Sequence, residues 1–239
     1  MRWRAFQARS WILNRGLLLP NWAWDLSLHL VTDERMPFVQ ICRIVEESVL
    51  GGVTVVQYRN KVADSNLFRA ELTELKRIVG KKASLIANDR LDEVLVLRSG
   101  GIDIDGVHLG QSDTNPMFAR HVLGPHALIG WTANTTEHAA IASLLGSDII
   151  DYLGVGIIHA TSTKLDAPEV IGVTGFKAFT ESVNLPTVAI GGITAIDASA
   201  LAEAGATGIA VVSAICSAVD PCSAANELAN EFRFQGAAK

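Results

Sequence analysis

Residues 53–79 read VTVVQYRNKVADSNLFRAELTELKRIV and contain the unit from which the fold is built. The first seven of these residues are rich in β-branched side chains, which is typical of a strand. From Asp64 to Val79, apolar residues recur at i, i+3, i+4 and i+7, which predicts a helix with one apolar face. A strand followed by such a helix is the repeating unit of a parallel sheet.

The same alternation continues along the chain from Leu26 onward. Eight strands are predicted, at 26–32, 53–59, 83–88, 105–110, 127–132, 151–156, 187–192 and 208–213. Glycines follow several helical patterns, where left-handed C-caps are expected, at Gly51, Gly52, Gly100, Gly101, Gly146 and Gly205. Eight units in 239 residues predict an α/β fold, a single (β/α)8 TIM barrel. An open doubly wound sheet would alternate similarly, but its usual G-x-G-x-x-G sequence does not follow the first strand.

Composition and charge argue against several classes of protein. Hydrophobic residues make up 49% of the chain, yet no apolar run approaches the roughly 20 residues that span a bilayer. Residues 26–239 carry 16 basic and 24 acidic side chains, which argues against a nucleic-acid-binding face. The three cysteines lack disulfide or zinc spacing, which is typical of a cytoplasmic protein. The sequence leaves the oligomeric state open, and a homo-oligomer is compatible with it.

Residues 1–25 differ from the rest of the chain. They contain four of the five tryptophans and four arginines, with no period of 2 or 3.6 residues. We predict an irregular extension at 1–25, outside a catalytic barrel domain at 26–239. A targeting peptide is the alternative, because the segment is arginine-rich and acid-poor. Its apolar stretch is short, however, and no cleavage site of small residues follows.

Polar side chains cluster where the predicted strands end. After the second strand, the alternation of extended chain places Gln57, Arg59 and Lys61 on one side. The carboxyl ends of barrel strands surround one mouth, where active sites lie. An arginine fork and a lysine ammonium suit a phosphate chain, and a solvated turn is the simpler alternative.

Two carboxylates follow the next two strands. Asp89 comes directly after Asn88 at the end of the third strand, and Asp113 lies in the loop after the fourth. Mg²⁺ takes oxygen ligands and commonly shares its shell with substrate phosphate, so the pair predicts a magnesium site. For Asp113, an N-cap of the following helix is an equally good interpretation.

A second group of hydroxyl and glycine residues follows the sixth, seventh and eighth strands. In chain order these residues are Thr161-Ser162-Thr163-Lys164, Gly191-Gly192 and Val212-Ser213. Backbone amides near glycine approach an anion closely, and phosphate sites after strands 7 and 8 are frequent in barrels. This group predicts a second phosphate site, although a glycine pair by itself is also an ordinary tight turn.

Other catalytic patterns are missing from the sequence. The six histidines show no H-x-x-x-H or H-E-x-x-H spacing, so zinc chemistry is not indicated. No G-x-S-x-G elbow or activated cysteine marks a nucleophile. His108 lies in an apolar strand, which favours a structural role over that of a base.

The ordered set of strand ends resembles the thiamine-phosphate synthase family from about Leu28 to Pro221. The resemblance is carried by LVTD (30–33), VQYRNK (56–61), IANDR (86–90), DGVHLGQSD (105–113), DYLGVG (151–156), TSTK (161–164), VAIGGI (188–193) and VVSAI (211–215). Each segment by itself is weak evidence for the resemblance, whereas the order of the segments along eight strands is specific.

The resemblance implies a transferase that joins hydroxymethylpyrimidine pyrophosphate to hydroxyethylthiazole phosphate, giving thiamine phosphate and pyrophosphate by a dissociative mechanism. The pyrimidine pyrophosphate would contact Gln57, Arg59, Lys61, Asn88, Thr132 and Lys164. The thiazole phosphate would contact Thr161, Ser162, Thr163, Gly192, Val212 and Ser213. By the same resemblance, Asp89 and Asp113 would hold Mg²⁺, and the catalytic residues would be Arg59, Lys61, Thr132 and Lys164.

The sequence departs from the family pattern in two loops. Thr132-Ala133-Asn134 stands where the family commonly has Ser-x-His, so the hydroxyl is kept and the histidine is not. Residues 156–161 read Gly-Ile-Ile-His-Ala-Thr, where Gly-Pro-Val-Phe-Pro-Thr is usual, so two prolines and an aromatic ring are replaced.

Two other functions compete with the synthase. A related thiazole tautomerase uses a histidine in the loop after the fifth strand, where this chain has Asn134. Arg59, Lys61 and Asp89 would be surplus in an enzyme that handles no pyrophosphate. A non-catalytic barrel that senses thiamine precursors is the other alternative, and the presence of both anion-binding groups with the carboxylate pair favours the synthase over it.

Overall fold

The computed structural model describes residues 24–160 and 169–236. The predicted extension therefore lies almost wholly outside the described residues. Within them, eight parallel strands pair in chain order and close into one barrel. The strands are β1 (Leu28–Val31), β2 (Val55–Tyr58), β3 (Ser84–Asn88), β4 (Gly106–Leu109), β5 (Leu128–Thr132), β6 (Tyr152–Gly156), β7 (Thr187–Ile190) and β8 (Gly208–Val211). The predicted (β/α)8 barrel is confirmed, and each strand lies within its predicted range.

Helices alternate with the strands, and several begin at side-chain caps. The helices are α1 (Phe38–Leu50), α2 (Ser65–Val79), α3 (Leu91–Ser99), α4 (Pro116–Leu123), α5 (Thr136–Leu145), α6 (Gly172–Glu181), α7 (Ala195–Glu203), α8 (Ser213–Cys216) and α9 (Pro221–Gly236). Asp64 accepts a hydrogen bond from the Leu67 amide in front of α2, and Asn115 accepts one from the Met117 amide at α4. These caps fix where each helix begins and so set the lengths of the loops at the mouth.

Two ion pairs stabilise the amino-terminal ends of the strands, opposite the mouth. Asp105, just before β4, accepts hydrogen bonds from Lys76 at 2.8 Å and from a backbone amide of β3. Asp151, just before β6, does the same with Arg120 at 2.7 Å and an amide of β5. Each carboxylate thus satisfies a strand amide and a cation together, which is the pattern expected of residues that support the fold.

Two details of the predicted elements are wrong. Strands β7 and β8 each end two residues before the predicted bound, at Ile190 and Val211, because Gly191 begins a turn and Ser213 begins the short helix α8. Among the predicted glycine caps, Gly51 and Gly100 have negative φ, and the left-handed residue is the second glycine of each pair. The other four glycines have the expected positive φ, which is +113° at Gly52, +86° at Gly101, +68° at Gly146 and +92° at Gly205.

The apolar core has two parts. The larger part lies between the barrel and its helices and includes Val56, Leu72 and Val107, all fully buried. The smaller part fills the barrel itself, where Ile86 and Leu128 are fully buried. In the part of the chain that the structure describes, none of the helices combines the length and apolarity that crossing a membrane requires.

Candidate active site

A cavity of about 460 Å³ opens at the carboxyl ends of the strands. Its walls include most of the residues predicted to form the site, namely Gln57, Arg59, Lys61, Asn88, Asp89, Asp113, Thr132, Gly192, Val212 and Ser213. Residues 161–164, which the sequence also assigns to the site, lie outside the described residues. The volume is in the range of cavities that bind small molecules. The fold therefore brings the two predicted anion-binding groups into one space.

The end of β2 is held in place by residues that follow β1. The Arg59 guanidinium lies 2.9 Å from Glu34 Oε1, and both side chains are 19% exposed. The other oxygen of Glu34 accepts a hydrogen bond from the Lys61 amide. The hydroxyl of the buried Thr32 accepts one from the Arg59 amide at 2.9 Å. Glu34 is thus a part of the site that the sequence pattern does not predict, because its partners lie 25 or more residues away.

Asp89 occupies an unusual backbone conformation at the mouth. Its φ is +65°, the only positive value among the described residues other than glycine. Its amide donates to the His108 carbonyl at 2.9 Å, so pairing with the next strand supports this conformation. A left-handed residue with a side chain is uncommon and often marks a functional position.

The carboxylates of Asp89 and Asp113 are direct neighbours. Burial, together with the hydrogen bond and negative charge of Asp113, raises the pKa of Asp89 to about 6. Lys61 lies 3.4 Å from Asp89 and partly opposes this shift. Asp113 also accepts a hydrogen bond from the Gly110 amide at 2.7 Å. The N-cap interpretation of Asp113 is wrong, because Asn115 caps α4 instead.

This carboxylate pair fits a hard divalent cation. Two adjacent carboxylates repel each other, and a cation between them would relieve the repulsion. Among residues 24–160 and 169–236, no group of three or more His, Cys, Asp or Glu side chains is placed to hold a metal. The pair therefore suits an ion that completes its shell with water and substrate oxygens.

A chain of polar side chains runs down from the mouth into the barrel. His108 Nε2 lies 3.0 Å from the Thr132 hydroxyl, and His108 Nδ1 lies 2.9 Å from the Tyr152 hydroxyl. Burial raises the pKa of Tyr152, and the neighbouring Gln57 side chain partly opposes this shift. A Cβ on Gly130 would lie 2.5 Å from His108 Nδ1, so this glycine makes room for the ring. His108 is held on both sides, as its predicted structural role requires, but it also lines the cavity.

His29 lies at the bottom of the same cavity. Its side chain is fully buried, and neither ring nitrogen has a hydrogen-bond partner among the described residues. Its ring packs edge-on against Tyr152, with the ring centroids 5.1 Å apart. Burial, aided by the nearby His108, lowers the pKa of His29 to about 3. The sequence pattern does not single out His29 or Tyr152, although period-2 counting along β1 and β6 places both inside the barrel.

The opposite side of the cavity is built from backbone. Gly191 and Gly192 have φ of +103° and +67°, a turn that only glycine adopts readily at both positions. The His159 amide donates to the Gly191 carbonyl at 2.9 Å. The Asn134 side chain accepts a hydrogen bond from the Gly156 amide at 3.1 Å, which joins the loops after β5 and β6. Successive amides in such turns suit an anion without any charged side chain.

A closed parallel barrel with cations and carboxylates on one side of its mouth and a glycine turn on the other defines an anion-binding (β/α)8-barrel enzyme. The sequence model of the family described as thiamine monophosphate synthase matches residues 28–215. The chain therefore belongs to the thiamine monophosphate synthase family.

Individual relatives support this assignment. The thiamine-phosphate synthase of Azorhizobium caulinodans is 45% identical over 210 residues, which cover 86% of this chain and 94% of that protein. The one from Vibrio parahaemolyticus is 40% identical and covers 84% of this chain and 95% of its own length. The solved thiamine phosphate pyrophosphorylase of Pyrococcus furiosus is 31% identical, with a TM-score of 0.75 over 89% of this chain and 98% of its own. The predicted function, that of a thiamine-phosphate synthase and hence a transferase, is confirmed.

Proposed function

We propose that this enzyme condenses hydroxymethylpyrimidine pyrophosphate with hydroxyethylthiazole phosphate in the presence of Mg²⁺, in the cytoplasm. The bond between the pyrimidine methylene carbon and the pyrophosphate oxygen breaks, and the thiazole nitrogen forms a new bond to that carbon. Pyrophosphate leaves with the bonding electrons, and thiamine phosphate is the other product. The observation that carries the proposal is a single cavity lined by both a charged anion-binding group and a glycine turn.

The residues at the ends of β2 and β3 would bind the leaving pyrophosphate. Negative charge grows on this group as its bond to carbon breaks, so preorganised cations that face it lower the barrier. Arg59 is held by Glu34, and Lys61 lies beside Asp89. A divalent cation held by Asp89 and Asp113 would add positive charge at the same group. Lys164 is assigned to this group on the sequence alone.

The polar chain below the mouth would bind the pyrimidine. Gln57, His108, Tyr152 and Thr132 present donors and acceptors on one side of the cavity, which suits the nitrogen atoms of a heterocycle. The surrounding walls are apolar, with Val31, Val188, Ile190 and Ala210 among them. An apolar, enclosed site also keeps water from a cationic carbon before the thiazole reaches it.

The glycine turn would bind the thiazole phosphate. Gly192 lines the cavity opposite Asp89, and Val212 and Ser213 lie at the end of β8 beside it. Amides of this region would satisfy phosphate oxygens. Residues 161–163 are assigned to the same phosphate on the sequence alone. The two anions would then be bound in different ways, which separates the two substrates.

The test uses the purified full-length protein with both substrates and Mg²⁺. We expect pyrophosphate and thiamine phosphate to appear in equal amounts, and chelation of Mg²⁺ to stop their formation. Binding of both substrates without pyrophosphate release would overturn the proposal in favour of a sensor. Isomerisation of a thiazole precursor without pyrophosphate release would overturn it in favour of a tautomerase.

A further inference from the structure

One contact near the cavity is not explained by the roles assigned so far. His159 Nε2 lies 2.8 Å from Asp197 Oδ1, although the two residues are 38 positions apart in the sequence. The Asp197 side chain is 16% exposed and that of His159 is 48% exposed. Neither residue lines the cavity in the described part of the chain. Any effect of this contact on the site is therefore transmitted through other residues.

Asp197 joins His159 to the start of α7. Its second oxygen accepts hydrogen bonds from the Thr194 amide and the Thr194 hydroxyl, both at 2.9 Å. Although burial opposes ionisation, the hydrogen bonds from Thr194 and His159 hold the pKa of Asp197 below its ordinary value. The carboxylate is thus an ionised cap of the helix that follows the glycine turn, and one of its two oxygens serves His159.

His159 also contacts the other end of the same turn. Its amide donates to the Gly191 carbonyl at 2.9 Å. A Cβ on Gly192 would lie 2.8 Å from His159 Cβ and 2.9 Å from the His159 carbonyl oxygen, so the loop lies directly on this glycine. The turn is therefore bonded to His159 at its beginning, through Gly191, and at its end, through Asp197.

We propose that the His159–Asp197 pair is a positioning contact that fixes the glycine turn in the geometry that binds the phosphate of the thiazole substrate. The proposal rests on the function proposed above, which assigns Gly192 to that phosphate. Residues 157–160 contain no proline to stiffen this loop, so the His159 side-chain contact adds to the backbone hydrogen bonds that the Ile158 and His159 amides donate to Ile190 and Gly191. A charge-assisted hydrogen bond at 2.8 Å is among the stronger contacts that a side chain offers.

The main test compares His159→Ala with the wild-type enzyme in steady-state assays of both substrates. We expect the KM for hydroxyethylthiazole phosphate to rise roughly tenfold, the loss expected when one charge-assisted hydrogen bond is removed. The kcat and the KM for the pyrimidine pyrophosphate should stay within about twofold, because the opposite side of the cavity does not depend on this pair. A general loss of structure would instead change all three parameters together.

Three further variants make the test specific. His159→Gln keeps a donor for Asp197 and should recover most of the wild-type KM. Asp197→Asn keeps the cap on Thr194 and removes the charge, so it should give a smaller rise, and its effect should not add to that of His159→Ala. The matched control is Asp220→Asn, because Asp220 also accepts hydrogen bonds from the amide and the hydroxyl of one residue, Ser223, at 2.9 and 2.8 Å, and does not line the cavity.

Two outcomes would overturn the inference. The first is an unchanged KM for the thiazole phosphate in His159→Ala, and the second is an equal rise in the KM values of both substrates. In parallel, calorimetry measures the binding of hydroxyethylthiazole phosphate to the same proteins. If the wild-type enzyme bound this compound without turnover, the proposed reaction would fail, whereas the effect of His159→Ala on binding would still decide the role of the pair.

Discussion

The two sides of the cavity are built by different means. On the side of β2 to β4, the side chains form ion pairs, which join Arg59 to Glu34 and Lys61 to Asp89. On the side of β6 to β8, the described residues offer a glycine turn and the backbone next to it, and the hydrogen-bonded pair of His159 and Asp197 lies behind this turn. The first side depends on charge, and the second depends on the path of the main chain.

This difference has a thermodynamic consequence. Adjacent carboxylates and a strained residue at Asp89 cost stability in the metal-free protein, and this is common where function sets the geometry. The glycine turn carries no such electrostatic cost, but it tolerates no added side chain. Variants that change charge should therefore affect the first side, and variants that change volume should affect the second.

The largest effect is expected for Asp89→Asn. Asparagine tolerates the left-handed conformation, so the change removes charge with little disturbance of the backbone. We expect turnover to fall at least about 100-fold, as when one electrostatic group is removed from a preorganised site. Thermal unfolding of the metal-free protein should shift to higher temperature, because Asp113 loses a repulsive neighbour. Unchanged turnover in a well-folded variant would contradict the idea that the β2 to β4 side of the cavity acts through charge. Asp103→Asn, an exposed change at the other end of the barrel, is the control.

A smaller but still large effect is expected for Lys61→Met. The change keeps most of the side-chain length and removes the ammonium that lies 3.4 Å from Asp89. Pyrophosphate release should slow by roughly 10- to 100-fold, while the KM for the thiazole phosphate stays nearly constant. Pre-steady-state measurement of pyrophosphate release checks this, with the exposed Lys82→Met as control. An equal effect on both substrates would mean that the two sides are not independent.

Gly192→Ala tests the other side. Alanine at φ +67° is strained by about 1 to 2 kcal/mol, and its Cβ would press against His159. Gly146→Ala is a close control, because Gly146 has φ +68° and nothing within 4 Å of its added Cβ. Both variants should lose stability in denaturant unfolding, Gly192→Ala by more. Only Gly192→Ala should raise the KM for the thiazole phosphate, by roughly tenfold, the loss expected for about one hydrogen bond. A similar rise in KM in Gly146→Ala would mean that the effect of Gly192→Ala does not come from contact between its Cβ and His159.

The smallest effect concerns His29, which lies between the two sides at the bottom of the cavity. The folded protein keeps its ring neutral, with a pKa of about 3, whereas an unfolded chain takes up a proton near pH 6.5. The free energy of unfolding therefore falls as the pH drops below 6.5, and this contribution is fully present only above that pH.

His29→Leu removes this dependence. Between pH 7 and pH 5.5, the variant should gain about 1 kcal/mol of stability relative to the wild-type protein, as measured by urea unfolding at both pH values. The control is His121→Gln, which replaces an exposed histidine outside the cavity. A stability difference that stays constant between the two pH values would mean that His29 is not held neutral in the fold.

Much of the barrel could be predicted from local patterns. Alternation of extended and amphipathic segments placed all eight strands, and period-2 counting placed Gln57, Arg59 and Lys61 on one wall. The end of β8 was predicted too late, because Val212 continues a β-branched run that favours a strand, whereas the chain already turns there into α8. The role of Asp113 stayed open in the sequence, because its spacing from α4 allows a cap as readily as a ligand.

The sequence by itself determined the fold and the family, and it predicted two anion-binding groups, because periodicity and strand-end residues are local properties of the chain. Only the tertiary structure decided which residues support the site. Glu34 is hydrogen-bonded to Arg59, His108 to Thr132 and His159 to Asp197, and the two residues of each pair are 24 to 38 positions apart in the sequence. Such contacts depend on barrel closure, on strand register and on glycines that leave room for a ring. These are properties of packing in three dimensions, and no pattern in one segment encodes them.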